Sequence, residues 1–127
     1  LFAPEHSPRG LVERVDFISA PGTSPPGVRR PGGPKALVTG LCLMSFEAGK
    51  ERFRLQSVHP GHTLEEIRDN TGFDFDLPRG EGGGEGGAVP VTPEPEAERL
   101  QVLRSTIAAE IAKTYPDFAA RVFQPRA

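Results

Sequence analysis

Two stretches rich in glycine and proline limit this chain most, because neither can form a helix or a strand. In the first, at 20–34 (APGTSPPGVRRPGGP), nine of fifteen residues are Gly or Pro. The second is the low-complexity run RGEGGGEGGA at 79–88, which combines charge and glycine with nothing to bury. We therefore expect ordered pieces of structure separated by a flexible loop at 20–34 and a Gly-rich linker at 79–90.

Length and charge bound the class of protein. The 127 residues suffice for one modest core, so we predict one partial domain over 1–127. The formal net charge of −2 lacks the basic excess typical of a nucleic-acid-binding protein. Because the chain begins with Leu1 and its only methionine, Met44, lies in an apolar run, we expect a piece of a longer protein.

The cysteine count and the apolar runs indicate the cellular setting. Cys42 is the only cysteine, which excludes an internal disulfide and a multi-cysteine metal site. The longest apolar run, at 36–46, is too short to span a bilayer. No signal-peptide pattern stands at the N-terminus. These observations predict a cytoplasmic protein with no nucleic-acid or membrane partner.

The hydrophobic pattern predicts three strands: 11–19 (LVERVDFIS), 36–46 (ALVTGLCLMSF) and 52–58 (RFRLQSV). The second is apolar on both faces, as a covered strand would be. The third alternates apolar and polar residues, so Arg54 is expected on a wet face. A turn at 47–50 joins the last two strands as a β-hairpin.

Helices are predicted after the hairpin. Thr63, with a glutamate three residues later, has capping-box spacing and begins a short helix, for which Gly72 supplies the stop. Thr92 then caps the longest of the C-terminal helices that fill 93–123. That helix ends at Pro116.

A short strand at 73–77 brings strands and helices into alternation. This order indicates an α/β fold with an open, mostly parallel sheet, a β-hairpin and flanking helices. The apolar positions of each element form the predicted core: Val15, Phe17, Leu37, Val38, Leu41, Leu43, Phe53, Leu55, Ile67, Leu100, Leu103, Ile107 and Ile111.

The glycine run formally contains a G-x-G-x-x-G pattern at 82–87. A dinucleotide site requires this pattern to open directly into a helix, whereas Val89-Pro90-Val91 intervenes here. The glutamates of the run, Glu81 and Glu85, would also repel a phosphate. We interpret the run as a linker.

Other chemistry-bearing residues favour structural roles, with one exception. His59 and His62 lie three residues apart at a turn without a third metal ligand, which predicts no metal site. No partner residue supports a general-base role for His59. Cys42 lies mid-strand, where burial suppresses thiol reactivity. The exception is Arg29 and Arg30, the candidates for substrate binding, because adjacent arginines on an ordered loop can hold a phosphate or carboxylate, although solvated loop charges are more common.

Four segments occur in a recognisable order: VERVDFISAPG at 12–22, PGGPKALVT at 31–39, FRLQSVHPG at 53–61 and TLEEIRDNTGF at 63–73. Together they resemble the C-terminal half of the beta subunit of class I coenzyme A transferases of the glutaconate type. The likeness is closer still to actinobacterial beta subunits, including those paired in steroid ring degradation. It covers nearly the whole chain except the glycine run, which looks like an insertion.

The resemblance implies a heteromeric enzyme with an alpha-type partner subunit and an acyl-CoA substrate, in which coenzyme A is a substrate and no cofactor is needed. In the family, a glutamate attacks the acyl-CoA thioester and gives an acyl anhydride, then a glutamyl-CoA thioester. That glutamate belongs to the N-terminal half or to the partner subunit. We therefore expect no catalytic residue in this fragment and no activity from it alone. Glu47, in a hairpin turn, and Glu81, in the linker, do not take the role.

Two functions stay open at this stage. The first is CoA transfer between carboxylic acids. The second, found in some steroid-degrading relatives, is hydrolysis of a ring carbon–carbon bond of a CoA thioester, with this half serving a non-catalytic structural and interface role.

Overall fold

The computed structural model describes residues 1–80, 82–84 and 86–123. The expectations for Glu81 and Glu85 therefore lie outside the described residues. The chain divides into two compact units, Leu1–Pro93 and the part from Glu94 onward.

The first unit is built on an open four-stranded sheet in the order β1-β2-β3-β4. The pairing is mixed: β1 is parallel to β2, whereas β2–β3 and β3–β4 are antiparallel. The α/β class, the open sheet and the hairpin are confirmed, with more antiparallel pairing among the described strands than the mostly parallel expectation. The strands are Phe2–Ala3 (β1), Ala36–Thr39 (β2), Cys42–Glu47 (β3) and Arg52–Val58 (β4).

The predicted single strand at 36–46 is wrong, because the chain reverses in its middle and forms β2 and β3. The hydroxyl oxygen of Thr39 accepts hydrogen bonds from the amides of Leu41 and Cys42, each at 3.1 Å. These bonds close a tight turn at Gly40-Leu41. A threonine side chain that replaces backbone partners in this way favours a turn over a continuous strand.

The outer edge of β4 is covered by two short pieces of chain rather than by a strand over 73–77. Asp76 bridges Arg54, and Val91 bridges Val58, both in parallel orientation. The two positions on β4 are four residues apart, whereas their partners are fifteen residues apart in sequence. The eleven extra residues contain the glycine run. The run therefore lies in the connection between the two pieces that cover β4.

The predicted strand at 11–19 is also wrong. Its only bridge within the described residues joins Val12 to Gly72. Leu11 is buried, but Val15 and Phe17, both predicted core residues, are 58% and 82% exposed. No neighbouring strand is present in the described chain to cover their face.

Helix α1, Leu64–Asn70, begins as predicted: the Thr63 hydroxyl accepts from the Glu66 amide at 3.1 Å. The role predicted for Gly72 is wrong, because the helix closes on Thr71, which has extended backbone. Gly72 instead permits a close approach of two backbone segments. Its amide donates to the Leu11 carbonyl at 2.7 Å, and a Cβ there would lie 2.5 Å from the same oxygen.

The core of the first unit lies between the sheet and α1. Met44, Leu55, Ile67 and Cys42 are fully buried. Half-buried apolar side chains surround them: Ala3, Leu41, Phe53, Leu64, Phe73, Phe75, Leu77 and Val89.

The second unit is helical, as predicted over 93–123, but the first helix begins at Ala97, without a capping side chain. Thr92 does not cap it, since its hydroxyl bonds to Ser57 and His59 instead. Leu103 and Ile107, predicted to be core, are 41% and 42% exposed. The elements are α2 (Ala97–Val102), a π-helical turn (Leu103–Ile107), α3 (Ala108–Thr114) and, after the break before Pro116, α4 (Pro116–Val122).

Among the described residues, no helix combines the length and apolar character needed to cross a membrane.

Candidate functional site

The two candidate arginines lie in the loop at 20–34, and the structure separates their surroundings. Arg30 lines a cleft of about 430 Å³ between this loop and the end of β3, whereas Arg29 does not. Lys35 adds a second cation to the same cleft. Its wall has hydroxyl groups and apolar surface: Thr23, Ser24, Val28, Phe46 and Ala48.

Close contacts between its two ends hold the loop in this shape. A Cβ on Gly33 would lie 3.3 Å from the Gly22 carbonyl oxygen, and one on Gly22 would lie 3.0 Å from the Pro34 ring. Gly32 and Gly33 adopt positive φ, at 98° and 147°, which L side chains rarely do. The glycine and proline content thus closes the loop and forms one wall of the cleft.

The charges of this cleft are free to meet a ligand. Within the described part of the chain, Arg29, Arg30 and Lys35 form no ion pair, and all three are exposed. Two unpaired cations beside an apolar wall can hold an anion that carries an apolar body. The cleft therefore suits a carboxylate or phosphate ester.

A second charged group, centred on Arg54, has the opposite character. Arg54 is 3% exposed, so the predicted wet face for this residue is wrong. Its guanidinium donates to both Glu47 carboxylate oxygens, at 2.8 and 3.1 Å, and to Asp76 at 3.1 Å. It also donates to the Leu77 carbonyl. Burial is tolerated because two carboxylates and a carbonyl replace the lost water.

This network argues against Glu47 as a nucleophile. The hydrogen bond from Arg54 is the largest cause that lowers the Glu47 pKa to about 2, and the charges of Arg54, Arg79 and Lys50 add to it. Arg79 donates to the same carboxylate at 3.0 Å. Cations that stabilise a carboxylate to this degree reduce its tendency to attack a thioester. That Glu47 has no catalytic role stays a prediction.

His59 belongs to a network of hydroxyl groups rather than to a metal site. Its Nε2 lies 3.0 Å from the Thr39 carbonyl, which can only accept, so in the neutral ring the proton is on Nε2. Nδ1 then accepts from the Thr92 hydroxyl at 2.9 Å, and Thr92 accepts from Ser57 at 2.6 Å. The direction of each bond is fixed by that one carbonyl. His59 thereby ties the β2–β3 turn to the chain that returns from the glycine run.

The other two histidines have separate partners. Nδ1 of His62 lies 2.9 Å from the Glu66 carboxylate. His6 is buried between the Thr39 and Thr71 hydroxyls, 2.8 Å from each. Burial lowers the pKa of His6, and the Glu66 charge partly opposes this. Among the described residues no three His, Cys, Asp or Glu side chains converge as metal ligands would.

Cys42 is fully buried, and burial raises its pKa, an effect that a hydrogen bond with Thr39 partly opposes. The thiol therefore stays protonated and out of contact with solvent. This agrees with the packing role predicted for it.

Sequence reasoning missed the Arg54 network, the buried His6 and the role of Thr92. The signal for Arg54 was present as two acidic positions, Glu47 and Asp76, in neighbouring segments. Whether these two carboxylates reach Arg54 depends on the register of β3, β4 and the chain at 76. A local sequence pattern does not give that register.

The sequence is similar to the beta-type subunits of two curated CoA-transferases. It is 40% identical over 75 residues to that of 3-oxoadipate CoA-transferase from Pseudomonas knackmussii, a match that covers 54% of this chain and 29% of the relative. It is 30% identical over 80 residues to that of glutaconate CoA-transferase from Acidaminococcus fermentans, covering 58% and 30%. The chain thus matches less than a third of the length of these relatives. No protein-family model matches it.

Solved structures share the fold. Rhodococcus jostii IpdAB aligns with 82% of this chain and 40% of its own, at a TM-score of 0.62 and 25% identity. The decarboxylase AibA/AibB aligns with 81% of this chain and 35% of its own, at a TM-score of 0.58 and 26% identity. Glutaconate CoA-transferase from Acidaminococcus fermentans aligns with 81% of this chain and 39% of its own, at a TM-score of 0.61 and 23% identity. The predicted resemblance to beta subunits of class I CoA transferases is confirmed.

Proposed function

We propose that this chain is part of a CoA-transferase subunit of the beta type, which acts on an acyl-CoA together with an alpha-type partner. The observation that carries the proposal is the similarity to the beta-type subunits of two named CoA-transferases, at 40% and 30% identity. Both relatives are named as transferases, which favours transfer over the hydrolytic alternative. Action on a steroid-derived acyl-CoA and a cytoplasmic location stay predictions.

The substrate class that we propose is the CoA thioester of a dicarboxylic acid. The named substrates of the two curated relatives, 3-oxoadipate and glutaconate, each carry a second carboxylate. The cleft beside Arg30 and Lys35 offers unpaired cations next to an apolar wall. We propose that it holds this second carboxylate, with Arg30 as the main contact. Arg29 lies outside the cleft and is proposed to make no contact with the substrate.

The covalent chemistry is proposed to take place outside this chain. In CoA transfer a carboxylate nucleophile breaks the thioester and comes to carry the CoA while the first acid is released, and a second carboxylic acid then receives the CoA. The ion-paired Glu47 is the wrong group for this step, since its carboxylate faces Arg54 and Arg79. The contribution proposed for this chain is to bind and orient the substrate.

The test uses the full-length subunit co-expressed with its alpha-type partner, and two donors that differ only in the free carboxylate, glutaryl-CoA and butyryl-CoA. We expect exchange of CoA onto an acceptor acid, detected by mass spectrometry. Arg30→Gln should raise KM for glutaryl-CoA on the order of tenfold and leave butyryl-CoA unchanged. Arg29→Gln is the matched control and should change neither.

The outcomes separate the possible contacts. An equal rise in KM for both donors would place Arg30 on the phosphates of CoA, and no change with either donor would remove the cleft from substrate binding. No exchange from the intact complex with any acyl-CoA would contradict the proposed transferase.

A further inference from the structure

The buried ring of His6 belongs to a chain of hydrogen bonds in which each proton has one place. The hydroxyl of Thr71 donates its proton to the Ile67 carbonyl at 2.6 Å, so its oxygen can only accept from His6. The Nε2 atom of His6 lies 2.8 Å from that oxygen. Nε2 must therefore carry a proton and donate it to Thr71.

The hydroxyl of Thr39 independently fixes the other ring nitrogen. Its oxygen already accepts from the amides of Leu41 and Cys42, each at 3.1 Å, which occupies both lone pairs. Towards Nδ1 of His6, at 2.8 Å, Thr39 can therefore only donate. The carbonyl and thiol of Cys42 are more distant from the Thr39 oxygen, at 3.4 and 3.6 Å. Both hydroxyls thus require a neutral imidazole with its proton on Nε2.

We propose that His6 is a pH-sensitive lock, which holds the first unit closed only while its ring is neutral. A proton on Nδ1 would face a hydroxyl whose lone pairs are both occupied, so two donors would meet. Either Thr39 then gives up an amide of the β2–β3 turn, or the ring leaves its place. The lock is independent of the proposed CoA chemistry, because it consists of contacts inside the first unit.

The lock joins three parts of the first unit. His6 follows β1, Thr39 ends β2, and Thr71 closes the C-terminal end of α1. Further along the same segment, Leu11 is buried, and its carbonyl accepts from the Gly72 amide at 2.7 Å. Loss of the His6 contacts should therefore loosen the segment 6–11 from α1 and open the β2–β3 turn.

Titratable groups face the lock from the sheet and from α1. The Cys42 thiol lies 3.9 Å from Nδ1 and is uncharged, because burial raises its pKa. His59 donates to the carbonyl of Thr39 at 3.0 Å. The Glu66 carboxylate on α1 attracts a proton to the His6 ring. Glu66 is therefore the charge that opposes the lock.

Burial is the stronger influence. It lowers the pKa of His6 below the ordinary value of 6.5, and the opposing carboxylate of Glu66 also bonds to His62 at 2.9 Å. In an opened chain the ring meets water and regains the ordinary value, so protons bind the opened state more strongly. The lock is therefore complete above about pH 6.5 and weakens as the pH falls through the lower pKa of the closed ring.

Nitrogen NMR of the chain, with isotope-labelled histidine, tests the position of the proton at neutral pH. The ring of His6 is identified by its through-space contact with the Thr71 methyl group. We expect a protonated Nε2 and an unprotonated Nδ1. A proton on Nδ1 while the amides of Leu41 and Cys42 stay protected from exchange would overturn the proposal.

Hydrogen exchange at about pH 7.5 and about pH 5.5 tests the response to acid, with each rate divided by that of an unstructured peptide at the same pH. Protection of the Leu41, Cys42 and Gly72 amides should fall on the order of tenfold at the lower pH. The Leu55 amide, which bonds to the Asp76 carbonyl at 2.8 Å at the outer edge of β4, should keep its protection. No fall, or an equal fall at all four amides, would overturn the lock.

Two histidine variants separate the lock from its neighbour. His6→Gln is uncharged at every pH, so the fall at low pH should disappear, whatever the protection at neutral pH. His59→Gln is the matched control, because His59 also bonds to Thr39 but through the backbone carbonyl, and here the fall should persist. A fall that survives in His6→Gln, or that is lost in His59→Gln alone, would overturn the proposal. The two measurements on the unsubstituted chain decide the matter where His6→Gln does not fold.

Discussion

The sheet unit and the helical unit differ in how far their apolar side chains are buried. In the first, Met44, Leu55 and Ile67 are completely buried. In the second, the stripe predicted to face a core includes Leu103 and Ile107, which keep more than two fifths of their surface exposed. Among the described residues after 93, only Ala119 is buried.

The difference shows what a periodic apolar pattern establishes. Helical spacing from Leu100 to Ile111 predicts that a helix forms, and it does. Burial requires in addition a surface that covers the stripe. The residues of β3, β4 and α1 find that surface within the sheet unit, whereas the described residues of the helical unit do not cover Leu103 and Ile107 among themselves.

The largest expected effect is a contrast between two isoleucines. Ile67→Ala should lower the free energy of unfolding by about 2–5 kcal/mol, because its side chain is fully buried in α1. Ile107→Ala should cost less than about 1 kcal/mol, because Ile107 is 42% exposed. Urea unfolding followed through amide signals of α1 and α3 measures both. Equal losses of unfolding free energy in the two variants would contradict the difference in burial between the two units.

A second contrast concerns glycines within the sheet unit. Gly72→Ala should cost about 1–3 kcal/mol, since the new Cβ would lie 2.5 Å from the Leu11 carbonyl oxygen and force the backbones apart. Gly84→Ala is the control, with nothing within 4 Å of its Cβ. Thermal unfolding of the two variants checks this. A tolerated Gly72→Ala would show that the contact between 11 and 72 is loose.

Acid should weaken the sheet unit through Glu47. Its pKa is about 2 in the folded chain against 4.5 for the unperturbed group, mainly because of the Arg54 hydrogen bond. The resulting stabilisation is complete above about pH 4.5 and is lost as the pH falls towards 2. The free energy of unfolding, measured from pH 2 to 6, should rise with pH, and this rise should be less steep in Glu47→Gln. An unchanged slope would mean that the ion pair is not formed in solution.

The smallest effect is expected in the glycine run. The Gly87 amide donates to the Pro78 carbonyl at 2.8 Å, which closes the base of the run. Deleting residues 82–84 should therefore change stability by less than about 0.5 kcal/mol. Gly87→Ala is the harmful control, because its Cβ would lie 2.8 Å from the Arg79 and Gly80 backbone. Calorimetry of both variants shows whether stability depends only on the contacts at the base of the run.

Local signals predicted local structure well. The Thr63 cap, the hairpin turn at 47–50 and the break before Pro116 all depend on neighbours within a few residues, and all are present. Thr92 has the same appearance as Thr63 in the sequence, yet its hydroxyl is taken by Ser57 and His59, 35 and 33 residues away.

The same limit applies to the candidate site. Arg30 was identified because its loop is distinctive in sequence, and the structure places it in a cleft. That Arg29 lies outside the cleft, and that Lys35 joins it, depends on how the loop closes at Gly22 and Gly33. Positive φ at several glycines is a tertiary outcome that composition allows but does not specify.

The most direct measurement is thioester exchange with the purified 127-residue chain alone. An acyl-CoA and an acceptor acid are incubated with it, and exchange is followed by mass spectrometry. We predict none, because the nucleophile is proposed to lie outside this chain and Glu47 is held by Arg54. Exchange that survives purification and disappears in Glu47→Gln would contradict this and place the catalytic carboxylate within the chain.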